Sequence, residues 1–181
     1  MEAIEMITER RSVRKFKDVV VEKETMNAIM DATRWAPSWG NFQIARYTLV
    51  SNKEIIKRLS SEGVNGFIYN KSTLEKASNV AILSFVKGKS GKLGKDEYAT
   101  NKSNVWEVFD AGLSCQNFVL AAHAYGVGTC IMGVINDKAI SKIVNLPEEE
   151  TVAAIIVYGY PDETPNKTPR KKIEEIVRFV D

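Results

Sequence analysis

The hydrophobic and polar positions along the chain predict a succession of helices with three strands among them. Helices are predicted over residues 2–9, 23–35, 105–125 and 137–144, and a further one from about residue 53. Strands are predicted over residues 47–51, 79–86 and 151–158. The helix over 105–125 is apolar on more than one face, which is typical of a helix at the centre of a core or an interface.

Two other stretches lack a clear long helix or strand. Residues 87–103 hold three glycines and five lysines without an apolar period, which predicts a loop or a mobile lid. Residues 161–169 are proline-rich and are predicted to be extended, and residues 171–180 end with a short amphipathic pattern.

Length and composition indicate one globular domain over residues 1–181. The 181 residues are 44% hydrophobic, enough for a single sizeable core. A net charge of +2 supplies no broad basic field for nucleic acid or for an anionic membrane. The longest apolar run, about residues 151–158, is far below the roughly 20 residues that cross a bilayer. We therefore expect a small-molecule partner, with neither nucleic acid nor membrane.

The two cysteines and the N-terminus bear on the compartment. Cys115 and Cys130 have no spacing typical of a disulfide framework or a zinc site, so no metal is predicted. The N-terminus is charged from Glu2 and lacks the apolar run of a signal peptide. We expect a cytoplasmic protein whose cysteines are small core residues.

Two basic clusters could bind an anion. Arg10, Arg11, Ser12 and Arg14 offer guanidinium and hydroxyl donors to phosphate oxygens, although a solvated turn after a helix has the same local pattern. The second cluster, over residues 167–172, could reach the same anion only if the fold brings the chain ends together. Otherwise it is an exposed basic tail.

Residues 36–43, which we call the amide turn, offer mixed donors and acceptors. A Pro-Ser-x-Gly turn is followed by Asn41 and Gln43, whose carboxamides suit the edge of a heteroaromatic ring. The alternative is a turn in which these side chains only cap local backbone.

No nucleophile arrangement emerges elsewhere. Residues 126–133 hold Gly126, Gly128 and Gly133, but they follow a predicted helix instead of a strand. The third glycine also does not have the spacing of the dinucleotide fingerprint G-x-G-x-x-G, so we reject a Rossmann site. Such glycines can instead let backbone amides approach a flat ligand. His123, the only histidine, lies among alanines on the long helix, which favours a structural role. These features together suggest that a cofactor carries the reaction.

Four separated segments resemble the nitroreductase family of FMN flavoproteins over nearly the whole chain. Residues 10–14 look like the family signature R-x-S-x-[RK], and residues 36–43 are similar to its A-P-S-x-x-N-x-Q turn. Residues 67–70 resemble a segment whose asparagine contacts the flavin, and residues 126–133 match a glycine-containing stretch. The sequence departs from the family in lacking Pro-Trp after Gln43 and in placing Lys167 three residues before Arg170.

The resemblance implies a set of FMN-binding residues. Arg10, Arg11, Ser12 and Arg14 are implied to hold the phosphate and the pyrimidine side of the ring, and Arg170 and Lys171 make the last phosphate contacts. Asn70 and the backbone of Met132 and Gly133 are implied to meet the ring edge. The amide turn is implied to come from the partner subunit through Pro37, Ser38, Trp39, Asn41 and Gln43.

The resemblance also implies a fold and an activity. The fold is α+β, with a central mixed sheet surrounded by helices in an intertwined homodimer, the segment from about residue 161 to 181 extending onto the partner. The implied activity is hydride transfer from NADH or NADPH through bound FMN to a small electron acceptor, such as a nitroaromatic, a quinone or a flavin, in a ping-pong cycle. The alternative on the same fold is a non-catalytic flavin-binding sensor or carrier.

Overall fold

A computed structural model of the chain describes residues 2–94 and 97–180. The α-helices are α1 Ala3–Glu9, α2 Lys23–Thr33, α3 Lys53–Glu62, α4 Ile68–Leu74, α5 Val105–Ala124 and α6 Asp137–Ile143. The strands are β1 Ala45–Val50, β2 Val80–Val86, β3 Gly128–Met132 and β4 Glu150–Gly159. Short 3₁₀ turns cover Trp39–Asn41 and Ile173–Glu175. No helix in the described part of the chain is long and apolar enough to span a membrane.

The four strands form one sheet in the order β1-β2-β4-β3. Each neighbouring pair is antiparallel, and the register between β2 and β4 shifts at Leu83 and Ser84. Beyond β3, Ser12 makes an isolated parallel bridge to Thr129, and the Val13 N–H donates to the Thr129 carbonyl at 2.9 Å. The chain that follows α1 is thereby attached to the outer edge of the sheet.

Both faces of the sheet are covered, which explains why its central strands are nearly continuous apolar runs. Alternate residues of β2 point to opposite faces, so Leu83 packs in a cluster with Ile29 of α2 and Phe118 of α5. Ile82 packs on the other face with Leu59 of α3, in a cluster that also contains residues of α6. The helix α5 thus lies across the centre of one face.

The predicted elements agree with the structure except at a few places. The α+β class is confirmed, but the sheet is antiparallel rather than mixed, with only the Ser12 bridge parallel. The strand β3 and the helix α4 were not predicted, and the amphipathic pattern over 171–180 forms only the short 3₁₀ turn. For residues 126–133 the sequence predicts a close approach of backbone amides to a flat ligand and no strand, because a five-residue strand that begins with glycine has a weak local signal.

Candidate cofactor site

Cationic side chains from both ends of the chain line one cavity, which we call the arginine cavity. Its volume is about 260 Å³, and its lining includes Arg10 and Arg11 after α1 together with Lys167 and Arg170. Lys167 Nζ lies 3.3 Å from a carboxylate oxygen of Glu9. The fold therefore brings the two basic clusters of the sequence together, whereas Lys171, the next residue of the second cluster, is exposed in the tail.

Arg10 and Arg11 are the half-buried cations of the arginine cavity. Burial lowers the pKa of the Arg10 guanidinium below its ordinary value, and the charges of Arg11 and Arg170 lower it further. A partly buried cation beside two other cations gains stability when an anion joins it. The cavity is therefore chemically suited to a phosphate group.

Arg11 also has a local role. Its guanidinium donates to the carbonyl of Thr8 at 2.7 Å and to that of Arg10 at 2.9 Å, and it lies 3.3 Å from the Glu9 carboxylate. These contacts satisfy carbonyl groups at the end of α1, where the helix leaves them without partners. Arg11 therefore also caps the end of α1, in addition to lining the predicted anion site.

Arg14 and Asn70 line a second cavity, of about 590 Å³, beside the exposed Ile131 of β3. Arg14 reaches it because residues 12–14 run along the outer edge of the sheet. Asn70 Nδ2 donates to the carbonyl of Val134 at 3.2 Å, which ties α4 to the backbone that follows β3. Two residues predicted to contact the ring therefore share one groove.

The backbone just after β3 is open to a ligand at Gly133. Met132, the last residue of β3, is buried, with 3% of the residue exposed. Gly133 is exposed, and a Cβ added to it would meet no atom within 4 Å. A flat ring could therefore approach the backbone of Gly133 closely, whereas Met132 next to it is almost fully covered.

The amide turn has an unusual backbone. Gly40, Asn41 and Gln43 have φ angles of 50°, 57° and 49°, in the left-handed region that side chains disfavour. The Gln43 N–H donates to Ser38 Oγ at 2.9 Å, and Gln43 Nε2 donates to the Asn41 carbonyl at 3.3 Å. Local capping, the alternative interpretation of this motif, therefore accounts for part of its polar groups. Pro37, Ser38 and Gln43 line a small cavity of about 170 Å³.

The amide turn and the basic residues 10–14 lie at opposite corners of the sheet. The turn leads into Ala45, in the row of the sheet that contains Thr151 at the start of β4. Ser12 bridges to Thr129, which pairs with Tyr158 near the end of β4. Seven residues of β4 separate the two rows, roughly 23 Å at about 3.3 Å per residue. Across the sheet, the four strand spacings from β1 through β2, β4 and β3 to Ser12 add about 19 Å. One chain does not bring the two halves of the predicted site together.

His123 and the cysteines lie near the cationic residues without forming a reactive pair. His123 lines a cavity of about 640 Å³ with Arg10, and its buried Nε2 has no hydrogen-bond partner among the described residues. Burial, followed by the charges of Arg10 and Arg11, lowers the pKa of His123. Burial raises the pKa of Cys115 to about 11 and also raises that of Cys130, as expected of unreactive core thiols.

Three acidic residues near these sites were missed in the sequence. Glu163 accepts hydrogen bonds from the N–H groups of Arg14 and Lys15 at 2.6 and 3.1 Å. Glu107 and Asp110 are each only 3% exposed on α5. Two carboxylates three residues apart in a largely apolar helix are a detectable signal, because acidic groups are almost never buried without partners. Glu163 has no comparable signal, since its partners are 148 or more residues away.

Comparison with known proteins agrees with the fold and with the motifs. The sequence profile of the nitroreductase family matches residues 7–160, and the chain belongs to this family. It is 25% identical to the FMN reductase [NAD(P)H] of Bacillus subtilis strain 168, over 97% of this chain and 72% of the relative. The predicted resemblance is therefore confirmed.

Two solved structures illustrate the likeness of the fold. An FMN-dependent nitroreductase from Clostridium difficile R20291 is 28% identical with a TM-score of 0.78, and the match covers 98% of this chain and 99% of the other. An NADPH:FMN oxidoreductase from Vibrio harveyi, complexed with NAD+, is 25% identical with a TM-score of 0.82, over 98% of this chain and 76% of the other. Both share nearly the whole described architecture.

Proposed function

We propose that the protein is an FMN-dependent oxidoreductase that takes electrons from NADH or NADPH and passes them to a small acceptor in alternating half-reactions. Relatives named for FMN reduction and for NAD(P)H support the cofactor and the electron donor. The observation that carries the proposal is the meeting of Arg10 and Arg170, from opposite ends of the chain, at one cavity. FMN has the dianionic phosphate that such a cavity fits.

Different residues would contact different parts of FMN. Arg10, Arg11 and Arg170, which line the arginine cavity, would hold the phosphate. Ser12, next to Arg11 in the chain, and Lys171 on the tail would add further contacts. Arg14 and Asn70 would lie against the pyrimidine side of the ring, and the backbone at Met132 and Gly133 would approach its edge, where Gly133 is the exposed residue. Bound FMN would supply the two-electron transfer, and Arg14 would place a positive charge where the ring gains negative charge.

The site requires a second copy of the chain, because the amide turn lies at the far corner of the sheet. We infer a homodimer in which Pro37, Ser38, Trp39, Asn41 and Gln43 of one subunit complete the ring contacts of the other. On α5, the exposed side chains of Val105, Val108 and Phe109 form an apolar face at helical spacing.

Two further features support this assembly. Gly112 extends the apolar face of α5 by one turn, and a Cβ there would meet nothing within 4 Å, so a partner helix could approach closely. The C-terminal segment exposes large apolar side chains that a single subunit leaves uncovered, namely Ile173 (67% exposed), Ile176 (68%) and Phe179 (84%). We propose that the segment from about residue 161 to 181 packs on the partner.

The first experiment is a near-ultraviolet and visible absorbance spectrum of the purified protein. Oxidised-flavin bands that bleach on anaerobic addition of NADH or NADPH, and return with a quinone or nitroaromatic acceptor, are expected. A flavin that bleaches only with a chemical reductant, with no NAD(P)H oxidation in the presence of acceptors, would indicate a sensor or carrier. A colourless protein that takes up no added FMN would disprove the proposed function.

Arg14→Ala tests the role of the positive charge beside the ring. The variant is expected to retain FMN less well and to be reduced more slowly by NAD(P)H. Arg58→Ala is the matched control, because Arg58 pairs with Glu62 on the exposed face of α3. An unchanged flavin content and reduction rate in Arg14→Ala would exclude this role.

Val108→Glu tests the dimer. Val108 is 59% exposed, so the substitution should leave the subunit folded while placing a charge in the inferred interface. Sedimentation velocity is expected to show monomers, and FMN binding should fall with dimer content. Val20→Glu, at a side chain 51% exposed before α2, is the control that should remain dimeric.

A further inference from the structure

Asp110 is a buried carboxylate that joins two segments far apart in the sequence. Both of its oxygens lie 3.0 Å from the backbone nitrogen of Trp39, in the amide turn. Oδ2 also accepts from the hydroxyl of Ser90 at 2.5 Å. Only 3% of Asp110 and none of Ser90 is exposed, so water does not compete for these hydrogen bonds.

The amide turn needs such an anchor, because its own backbone is strained. Gly40, Asn41 and Gln43 all have positive φ angles, and left-handed residues persist only where surrounding contacts hold them. The Trp39 N–H begins the 3₁₀ turn, and Asp110 is its acceptor. Several other hydrogen bonds of the turn, such as Gln43 N–H to Ser38 Oγ, lie within the turn itself. Asp110 therefore fixes the turn to the body of the subunit.

The same residue connects the turn to residues 87–94, which we call the Ser90 loop. Trp39 Nε1 donates to the Lys92 carbonyl at 3.2 Å, and the Trp39 and Trp106 rings are 4.8 Å apart. The predicted mobile lid is thus tied, in its described part, to both α5 and the amide turn. A shift of the turn must be accommodated by the Ser90 loop, because the two share Asp110 and Trp39.

We propose that Asp110 is a positioning residue that holds the amide turn in its ligand-binding shape and couples it to the Ser90 loop. The inference rests on the proposed function, since the ligand of the turn is the FMN bound at the partner's arginine cavity.

Glu107 provides a matched comparison one helical turn away. It is equally buried, and it accepts from the N–H groups of Gly88 and Lys89 at 2.5 and 3.2 Å. It thus holds the beginning of the Ser90 loop without a hydrogen bond to the amide turn in the described structure. Loss of Glu107 should loosen only the loop, whereas loss of Asp110 should loosen both segments.

The test is hydrogen–deuterium exchange of the full-length protein with mass spectrometric detection, with and without FMN. Asp110→Leu is expected to raise amide exchange in residues 36–43 by about tenfold or more in FMN-free protein, and to weaken FMN binding. Asp110→Asn keeps one oxygen that can accept from Trp39 and should restore part of the protection. Glu107→Met should raise exchange in the Ser90 loop alone.

Ser90→Ala tests the coupling without removing the anchor. FMN is expected to slow exchange in the Ser90 loop of the natural chain, and this protection should largely disappear in Ser90→Ala while the amide turn stays protected.

Two outcomes would overturn the proposal. One is unchanged amide exchange at residues 36–43 in Asp110→Leu, and the other is an equal rise of exchange at residues 36–43 in Glu107→Met. If Asp110→Leu fails to fold, Asp110→Asn and Ser90→Ala still decide it. Failure of the natural chain to bind FMN would refute the proposed function, whereas exchange in FMN-free protein would still report on the anchor.

Discussion

The carboxylate of Glu163 accepts a hydrogen bond from the backbone N–H of Arg14 at 2.6 Å, across 149 positions of sequence. The same Oε1 accepts from Lys15 N–H at 3.1 Å, and the Asp162 N–H donates back to the Lys15 carbonyl at 2.9 Å. The chain that follows β4 is thereby fastened to the segment that carries the predicted phosphate and ring donors. The position of Arg170 depends on this junction, because the chain from 163 leads directly to it.

Glu163→Gln is therefore expected to weaken FMN binding about 3- to 10-fold, although Glu163 contributes no donor to a phosphate. A neutral amide accepts more weakly than a carboxylate, so residues 163–170 would be held less firmly beside Arg10. Titration of flavin fluorescence measures the change. Glu148→Gln, at an exposed glutamate just before β4, serves as the control. Equal FMN affinities for the two variants would show that this junction does not contribute to cofactor binding.

Arg10 and riboflavin offer a test of what the arginine cavity binds. Arg10→Met keeps the aliphatic bulk but removes the charge, and we expect FMN binding to weaken about 10- to 100-fold, the range of a lost charged hydrogen bond. Binding of riboflavin, which has no phosphate, should change by less than about twofold. A variant that loses both ligands equally would place the ring, rather than the phosphate, beside Arg10.

The sequence alone predicts the elements that are long and have a strong hydrophobic pattern. It also identifies the residues of the two basic clusters. The apolar run over β2 and the long helix α5 have signals that do not depend on distant partners. β3 has no such signal, because its five residues become a strand through pairing with β4. The diagonal separation of the amide turn from Ser12 likewise follows only from strand order. The roles of Asp110 and Glu163 depend on backbone partners, which residue patterns do not reveal.

Two glycines near β3 are expected to respond oppositely to the same substitution. A Cβ at Gly128 would lie 2.8 Å from Val13 Cγ2 and 2.9 Å from Val13 Cβ, so Gly128→Ala should lower the free energy of unfolding by about 1–3 kcal/mol. Gly133→Ala meets no atom within 4 Å and should change that free energy by less than about 0.5 kcal/mol.

Gly133→Ala should affect FMN binding although it leaves the free energy of unfolding nearly unchanged. If backbone amides at Met132 and Gly133 approach the flavin ring, the added methyl should weaken FMN binding by about tenfold while the fold stays intact. Urea denaturation and FMN titration of both variants measure the two effects separately. Full FMN affinity in Gly133→Ala would argue against a close approach at this position.

His123 predicts a pH dependence of stability. Its pKa in the folded protein lies below the ordinary value of 6.5, first through burial and then through Arg10 and Arg11. In the window between the lowered pKa and 6.5, the unfolded chain binds more protons than the folded chain. Stability should therefore be fully present above that window and decrease as the pH falls through it.

Thermal unfolding of FMN-free protein between about pH 5 and pH 8 measures this effect. The melting temperature of the natural chain should fall toward the acidic end more steeply than that of His123→Gln, which cannot be protonated. Other groups titrate alike in both proteins, so the difference between the two curves isolates His123. Bound phosphate should reduce the difference, because an anion beside Arg10 offsets the cationic charges that disfavour protonation of His123. Parallel curves for the two proteins would mean that His123 is protonated equally easily in the folded and unfolded chains.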